Sequence, residues 1–436
     1  MIVLALLYNL EPQSYYRVLA FIGIDPFRFP FLDLQGVLSW VECWQRGVDV
    51  YATNPCDVLG RVMTYSPLWL LLTFLPGKEW TNLLGLCLAI SFFLALAVLP
   101  PPRSGWELVL RLIATLSPVT TYAVERANID LLMFLMATAA GVFLLGPLRK
   151  RVAAYAVIVI AGLLKLYPLV LMVLTLRERP RVFLCVNTAA AAIVLATGIY
   201  FHSEMVKMLT NIPRGRGFTE FFGAQQLPDF IVQKVDAAMH PRLAVLGLVK
   251  LAIFAALSLA TAGWFFRMVR WRDFRIALAR LPEPEKMFLV IGGAVIGGCF
   301  FTGSSVGYRG IHLLFALPGL LAMARMENDT SVRQVAAQGC VLVVALTWAG
   351  FFTWYGLFPQ MLASWIGNVP GARLVHSLGV LREVARWQVA TLFVALVIGC
   401  CSDWFAEVVD WRGLLDRPED TAALGDVASR EGASQD

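Results

Sequence analysis

The sequence predicts an all-α polytopic membrane protein, a single integral membrane domain over residues 1–411 with about 10–12 transmembrane helices and interfacial helices in its first outer loop. Three observations predict it. Mean hydropathy is +0.69. Apolar residues make up 58% of the 436 residues and charged residues only 15%, against about 25% charged in soluble chains. The apolar residues gather into segments long enough for a bilayer core, separated by short loops rich in Arg and Lys.

The elements follow in order. Residues 1–24 form a weak first span, because Glu11 and Arg17 interrupt it, and its start lacks the basic region of a signal peptide. A polar outer loop runs over residues 31–79. Within it, Leu34, Val37, Leu38, Val41 and Trp44 recur at helical spacing opposite Gln35, Ser39, Glu42 and Arg46, with Gly47 as the stop. That pattern fits an amphipathic helix on the outer leaflet. Asn54-Pro55-Cys56-Asp57 reads as a turn, and the apolar run 68–76 is too short to span. Clear apolar segments then run near 80–100, 106–124, 128–147, 152–176, 182–201, 242–266, 287–303, 311–324, 335–358 and 386–403, with a second outer loop at 202–241. Residues 412–436 are polar and read as a disordered cytoplasmic tail.

The net charge of +6 does not indicate nucleic acid, since the basic residues sit in short loops. Of the eight cysteines, Cys43 and Cys56 share the polar loop. They are read as unpaired, with a disulfide as the alternative if that loop faces an oxidising compartment.

Charge sets the topology. Arg149-Lys150-Arg151 and Arg177, Arg179 and Arg181 flank the 152–176 segment, and six cations from Arg267 to Lys286 fill another loop. The positive-inside rule places them all in the cytoplasm. Both ends of the 152–176 segment then lie on one side, so it is expected to be two short helices meeting at Lys165-Leu166-Tyr167-Pro168, where Pro168 disfavours a continuous helix. A straight span with Arg177–Arg181 outside is the rejected alternative. The chosen topology gathers the 31–79 loop, Glu125-Arg126-Ala127-Asn128 with Asp130, the Lys165–Pro168 turn, the 202–241 loop and Tyr308-Arg309-Gly310-Ile311-His312 on the non-cytoplasmic side.

Each polar group has a structural and a functional reading. Asp33 is an N-cap, a general base at the bilayer surface, or both. Asp49 is a second acid, a ligand for a substrate hydroxyl, or a solvated turn residue. Glu125, Arg126 and Asp130 form an internal ion pair and cap, or face a cavity, because charge is costly within a bilayer. Lys165 snorkels to the surface or clamps a phosphate, and Arg309 with His312 carries the same pair of readings. P-loop, dinucleotide, HExxH and CxxC signatures are missing, and the four His (202, 240, 312 and 376) are too dispersed to suggest a metal site.

Asp33, Gly47-Val48-Asp49-Val50-Tyr51, Tyr65-Ser66-Pro67, Asn128-Ile129-Asp130, Lys165-Leu166-Tyr167-Pro168 and Tyr308-Arg309 together resemble the polyprenyl-phosphate-dependent glycosyltransferases of the GT-C superfamily. Among these they are most similar to the group holding bacterial alpha-mannosyltransferases (DUF2029, or GT87). The resemblance implies a GT-C-like bundle in a bacterial plasma membrane with its active site facing outward. It implies Asp33 as the base, with Asp49 as its competitor. Lys165, Arg309, Arg126 and His312 would hold the donor phosphate, and Tyr51, Tyr65, Asn128, Asp130 and Tyr167 would line the substrate site. A polyprenyl-phosphate sugar, with mannose the implied sugar, would donate to a lipid or glycan acceptor with inversion. No cofactor or metal is required, since a lipid monophosphate leaves without a diphosphate to neutralise. The alternative is a lipid or glycolipid transporter or flippase, which commonly shows internal repeats and midplane charges. Neither feature is clear here.

Overall fold

A computed structural model describes residues 7–24, 27, 29–212, 221–239, 243–303, 305–326, 330–352 and 357–409. Among them the chain is all-α but for one antiparallel bridge that pairs Phe221 with Val306 and Phe222 with Ser305. Among the described residues, seven helices are long and apolar enough to cross a membrane, or eight if the bent pair Gly105–Thr115 and Pro118–Glu125 counts as one span. The protein is therefore an all-α integral membrane protein.

That count falls below the 10–12 expected, and the reasons are local. Among the described residues the first segment is helical over 7–10 and, after a break at Glu11, forms the helix Pro12–Phe21, about 15 Å long at 1.5 Å per residue. The 128–147 segment yields Ile129–Leu144, also shorter than a full span. The 152–176 segment is a hairpin. Its helix Leu148–Lys165 ends where Leu166 takes φ 41°, and the 3-10 helix Tyr167–Arg177 runs back along it. Arg151 pairs with Glu178 at 2.8 Å, and Tyr155 Oη donates to the Leu174 carbonyl at 3.3 Å. A Cβ on Gly162 would meet Leu169 Cδ2 at 2.4 Å, so glycine allows the two arms to close. The base of the hairpin holds the basic loops and its tip holds Lys165 and Tyr167.

Burial separates the helices. The apolar windows of Pro180–Tyr200 and Ala244–Arg270 are only 6% buried, whereas that of Glu283–Thr302 is 83% buried. The outer pair has the character of lipid-facing helices, and Glu283–Thr302 is the central post. Gly293 and Gly297 let it approach Asn368–Val409: a Cβ on either would sit 2.9 Å from Val397 or Val394. Phe134 stacks on Phe315 at 4.0 Å, joining Ile129–Leu144 to Leu313–Ala324 beneath the polar end.

The first outer loop is more buried than an interfacial helix would be. Leu32–Gln45 buries Leu34, Val37, Leu38, Trp40, Val41 and Cys43, and it ends at Gly47 with φ 80° as the sequence predicts. The run at 68–76 supplies only the 3-10 turn Pro67–Leu71. Cys43 and Cys56 form a disulfide, correcting their reading as unpaired. The 202–241 segment carries helices His202–Asn211 and Gln226–Met239, while its Arg214–Gly217 run lies outside the described residues, as do His240 and the 412–436 tail.

Candidate functional site

Three backbone reversals build the site. Among the described residues the non-glycine positions with positive φ are Phe31 (63°), Ala127 (43°) and Leu166 (41°). Phe31 lies two residues before Asp33, Ala127 lies between Arg126 and Asn128, and Leu166 lies between Lys165 and Tyr167. Such conformations cost of order 1–3 kcal/mol each and persist where the surroundings enforce them. Here they aim polar side chains at one point. Two of the reversals are tied together: the Phe31 amide donates to the Glu125 carbonyl at 2.6 Å, and the Asp33 amide donates to the Arg126 carbonyl at 3.1 Å.

Asp33 is the second residue of its helix, where the helix dipole favours a carboxylate, and the residue at the cap position is Phe31. Its carboxylate is therefore spent on tertiary partners. Oδ1 accepts from Arg61 Nη1 at 3.1 Å, and Oδ2 accepts from Asn128 Nδ2 at 2.6 Å. Arg126 Nη1 stands 3.9 Å from Oδ1. The Asp33 side chain remains 18% exposed, so a reactant can reach it.

Asn128 joins that carboxylate to a second layer. Its Oδ1 caps Ile129–Leu144 by accepting from the Asp130 amide at 2.9 Å and also accepts from Lys165 Nζ at 3.3 Å. Asp130 is fully buried. Lys165 Nζ lies 2.9 Å from its Oδ1, Tyr167 Oη donates to that oxygen at 2.7 Å, and Arg309 Nε stands 3.8 Å from Oδ2. Tyr167 Oη also lies 3.0 Å from His312 Nε2. Because the tyrosine proton goes to Asp130, His312 must donate from Nε2. The Lys165 ammonium sits over the Tyr65 ring at 4.9 Å, and the Arg309 guanidinium sits over Tyr167 at 4.5 Å.

Arg61 stands among the charged residues of the polar loop, but the sequence assigned it no site role. It donates from Nη2 to the Leu32 carbonyl at 2.7 Å and to Asp57 Oδ1 at 2.9 Å, and from Nε to Asp57 Oδ2 at 3.0 Å. Burial alone would raise the Asp57 carboxyl, but hydrogen bonds and charge from Arg61 outweigh it and hold the group below its ordinary value. Burial likewise would lower the Arg61 guanidinium, and the Asp57 and Asp33 carboxylates instead hold it above its ordinary value. A Cβ on Gly36 would lie 2.7 Å from Arg61 Nη2, so glycine opens the helix to that guanidinium. The spacing of Asp57 and Arg61, four residues apart, was the available signal.

Other expected residues lie at the margin. Asp49 faces Lys207, with Oδ2 2.7 Å from Nζ, and both side chains are more than two-fifths exposed. The Lys207 hydrogen bond lowers the Asp49 carboxyl. Asp49 therefore belongs to the contact between the first loop and His202–Asn211, separate from the partners of Asp33. Tyr51 is buried and its Oη donates to the Tyr65 carbonyl at 3.4 Å, bracing the site from behind. Burial, followed by the Asp33 and Asp130 charges, pushes the Tyr65 hydroxyl up, so it stays protonated. Glu125 accepts from Tyr15 Oη at 3.0 Å and pairs with Arg126 at 3.2 Å, the internal pairing that was one of its two readings.

The fold and site together define an integral membrane protein with a cluster of carboxylates and cations at one end of a helical bundle. No family model, curated protein or solved structure matches the chain.

Proposed function

We propose that the protein is an inverting, GT-C-like glycosyltransferase that moves a sugar, with mannose the first to test, from a polyprenyl-phosphate donor to a lipid or glycan acceptor. The observation that carries this reading is the meeting of Asp33, still partly exposed, with Arg61, Arg126, Lys165 and Arg309 around Asn128 and Asp130. A transporter has less use for a reachable carboxylate set beside fixed cations at one end of the bundle.

The chemistry assigns a role to each group. Asp33 takes the proton of the acceptor hydroxyl as its oxygen attacks the anomeric carbon. The bond from that carbon to the phosphate oxygen breaks on the opposite face, and the lipid phosphate departs with the electron pair. Arg309 meets the charge that develops. Its side chain is 22% exposed, against 7% for Lys165 and 5% for Arg126. Lys165 and Arg126 are almost buried and committed to carboxylates, so they set the local field and hold Asn128 and Asp33 in place.

We place the site on the non-cytoplasmic face of a plasma membrane. The Cys43–Cys56 disulfide beside it suits an oxidising compartment, and the basic residues at the base of the 148–177 hairpin suit the opposite side. The test is transfer of radiolabelled mannose from polyprenyl-phosphate mannose in membranes with and without the protein. Transfer that depends on the protein supports the reading, and its absence with every polyprenyl-phosphate sugar tried would return weight to the transporter.

A further inference from the structure

The last turn of Ala244–Arg270 and the short helix that follows, Arg272–Ala279, bring together five arginines that the mechanism above does not use. They are Arg267, Arg270, Arg272, Arg275 and Arg280, and all are exposed. Asp273 is the one acidic residue between Arg267 and Arg280, so the stretch carries a net charge of +4. Among the described residues neither Asp273 nor any of the five arginines forms an ion pair. Other arginines at the same end of the bundle are paired: Arg103 with Glu285, Arg151 with Glu178, Arg177 with Glu283 and Arg325 with Glu107.

Packing fixes where the stretch lies. Phe274, Ala277 and Leu278 bury one face of Arg272–Ala279. A Cβ on Gly399 would lie 2.4 Å from Leu278 Cδ1, so glycine lets this helix seat against Asn368–Val409. Trp404 follows in the same helix, with its ring 5.5 Å from the Arg177 guanidinium at the base of the 148–177 hairpin. Arg272–Ala279 therefore lies at the basic end, opposite Asp33. Ala244–Arg270 has 27 residues, about 40 Å at 1.5 Å per residue, and exceeds a hydrocarbon core of about 30 Å. Arg267 and Arg270 thus reach the head groups, with Phe266 57% exposed beside them.

Bare arginines are costly in this arrangement. Arg272 and Arg275 stand at the first and fourth positions of Arg272–Ala279, where the positive end of the helix dipole disfavours cations. They are three residues apart and so neighbours on one face, as are Arg267 and Arg270, and like charges so placed repel. Trp271 at the cap position gives no side-chain hydrogen bond to the first-turn amides. An anion held there would reverse each of these costs. The positive-inside bias explains cations at this end, but lysine satisfies it as well as arginine. No lysine lies between Lys250 and Lys286, and the guanidinium is the group that takes two phosphate oxygens at once.

We propose that Arg267, Arg270, Arg272, Arg275 and Arg280 form a collar that binds acidic phospholipid of the adjoining leaflet through its phosphate. Lipid is the occupant because the collar ends a helix whose apolar window is only 6% buried, so head groups already surround it. Trp264, Phe265, Phe266 and Trp271 interleave with the first arginines, and such rings favour the membrane interface. A zwitterionic head group offers the same phosphate but brings its own cation, which the net charge of +4 repels. The collar lies away from Asp33 and does not depend on the glycosyltransferase reading.

The test uses the full-length protein in detergent, titrated with phosphatidylglycerol or with phosphatidylcholine of the same chains, and counts retained lipid by native mass spectrometry. Phosphatidylglycerol is expected to be retained in preference by about tenfold, the worth of one charge-assisted hydrogen bond. The double variant Arg272→Gln/Arg275→Gln should bring the two lipids level. Arg272→Lys/Arg275→Lys keeps the charge and should lose most of the preference, a result that charge alone does not give. Lys207→Gln removes an exposed cation beside Asp49 and should change nothing. The substituted side chains are exposed, so thermal midpoints near wild type are expected. The proposal is overturned if wild type retains both lipids equally, if the preference survives in the glutamine variant, if the lysine variant keeps it whole, or if Lys207→Gln loses it equally. Neither lipid carries a sugar, so failure here leaves the glycosyltransferase reading standing, and absence of sugar transfer leaves the collar standing.

Discussion

Asn128 Nδ2 lies 2.6 Å from Asp33 Oδ2, joining two residues 95 positions apart in sequence. The same amide accepts from Lys165 through its oxygen, so one side chain fixes a carboxylate and a cation relative to each other. Asn128→Asp would replace a donor with a negative charge facing Asp33. We expect sugar transfer to fall by about a hundredfold, at the low end of what a misplaced general base costs. Membrane transfer assays at matched expression measure it. Unchanged transfer would remove Asn128 from the site.

Arg61 binds four acceptor atoms on three residues with one planar group, which lysine cannot reproduce. Arg61→Lys is expected to destabilise the protein by about 1–3 kcal/mol and to reduce transfer. A thermal midpoint in detergent reads the first effect. The pH dependence follows from Asp57. Its folded carboxyl lies below its ordinary value, so its contribution is present above the ordinary carboxylate range, about pH 4, and is lost as pH falls through the folded value. Asp57→Asn should remove that acid-side loss. A midpoint that falls identically in the variant would assign the acid sensitivity to other groups.

The disulfide ties Cys56, next to Asp57, to the helix that carries Asp33. It closes a short loop, and removing it should cost about 2–4 kcal/mol. Thiol labelling of the unfolded, unreduced protein should tag six of the eight cysteines, and Cys43→Ser should raise this to seven. Eight tags on wild type would contradict the pairing.

Leu166 holds a backbone conformation that glycine adopts more readily. Leu166→Gly should leave stability unchanged or raise it by up to about 1 kcal/mol, whereas Leu166→Val should lower it. Thermal midpoints of the two variants distinguish a strained reversal from an ordinary loop.

Much of this was legible in the sequence because it is local. Pro168 and the basic residues at both ends of the 152–176 segment predict the hairpin, and Gly47 predicts the helix stop. The one-sided gathering of Asp33, Arg126, Asn128, Asp130, Lys165, Tyr167, Arg309 and His312 follows from charge placement alone. The pairings are less legible. Arg61 reaches Asp33 across 28 residues and Tyr15 reaches Glu125 across 110, and no periodicity records such distances. Asp49 matched a motif, but its partner Lys207 is brought by a helix 158 residues away.

The central claim is that Asp33 is the base. The most direct measurement compares wild type, Asp33→Asn and Asp49→Asn for transfer of radiolabelled mannose from polyprenyl-phosphate mannose, at equal expression and equal thermal midpoint. The account predicts that Asp33→Asn abolishes transfer while Asp49→Asn retains most of it. Transfer that survives in Asp33→Asn and disappears in Asp49→Asn would contradict it and move the chemistry to the Lys207 side of the loop.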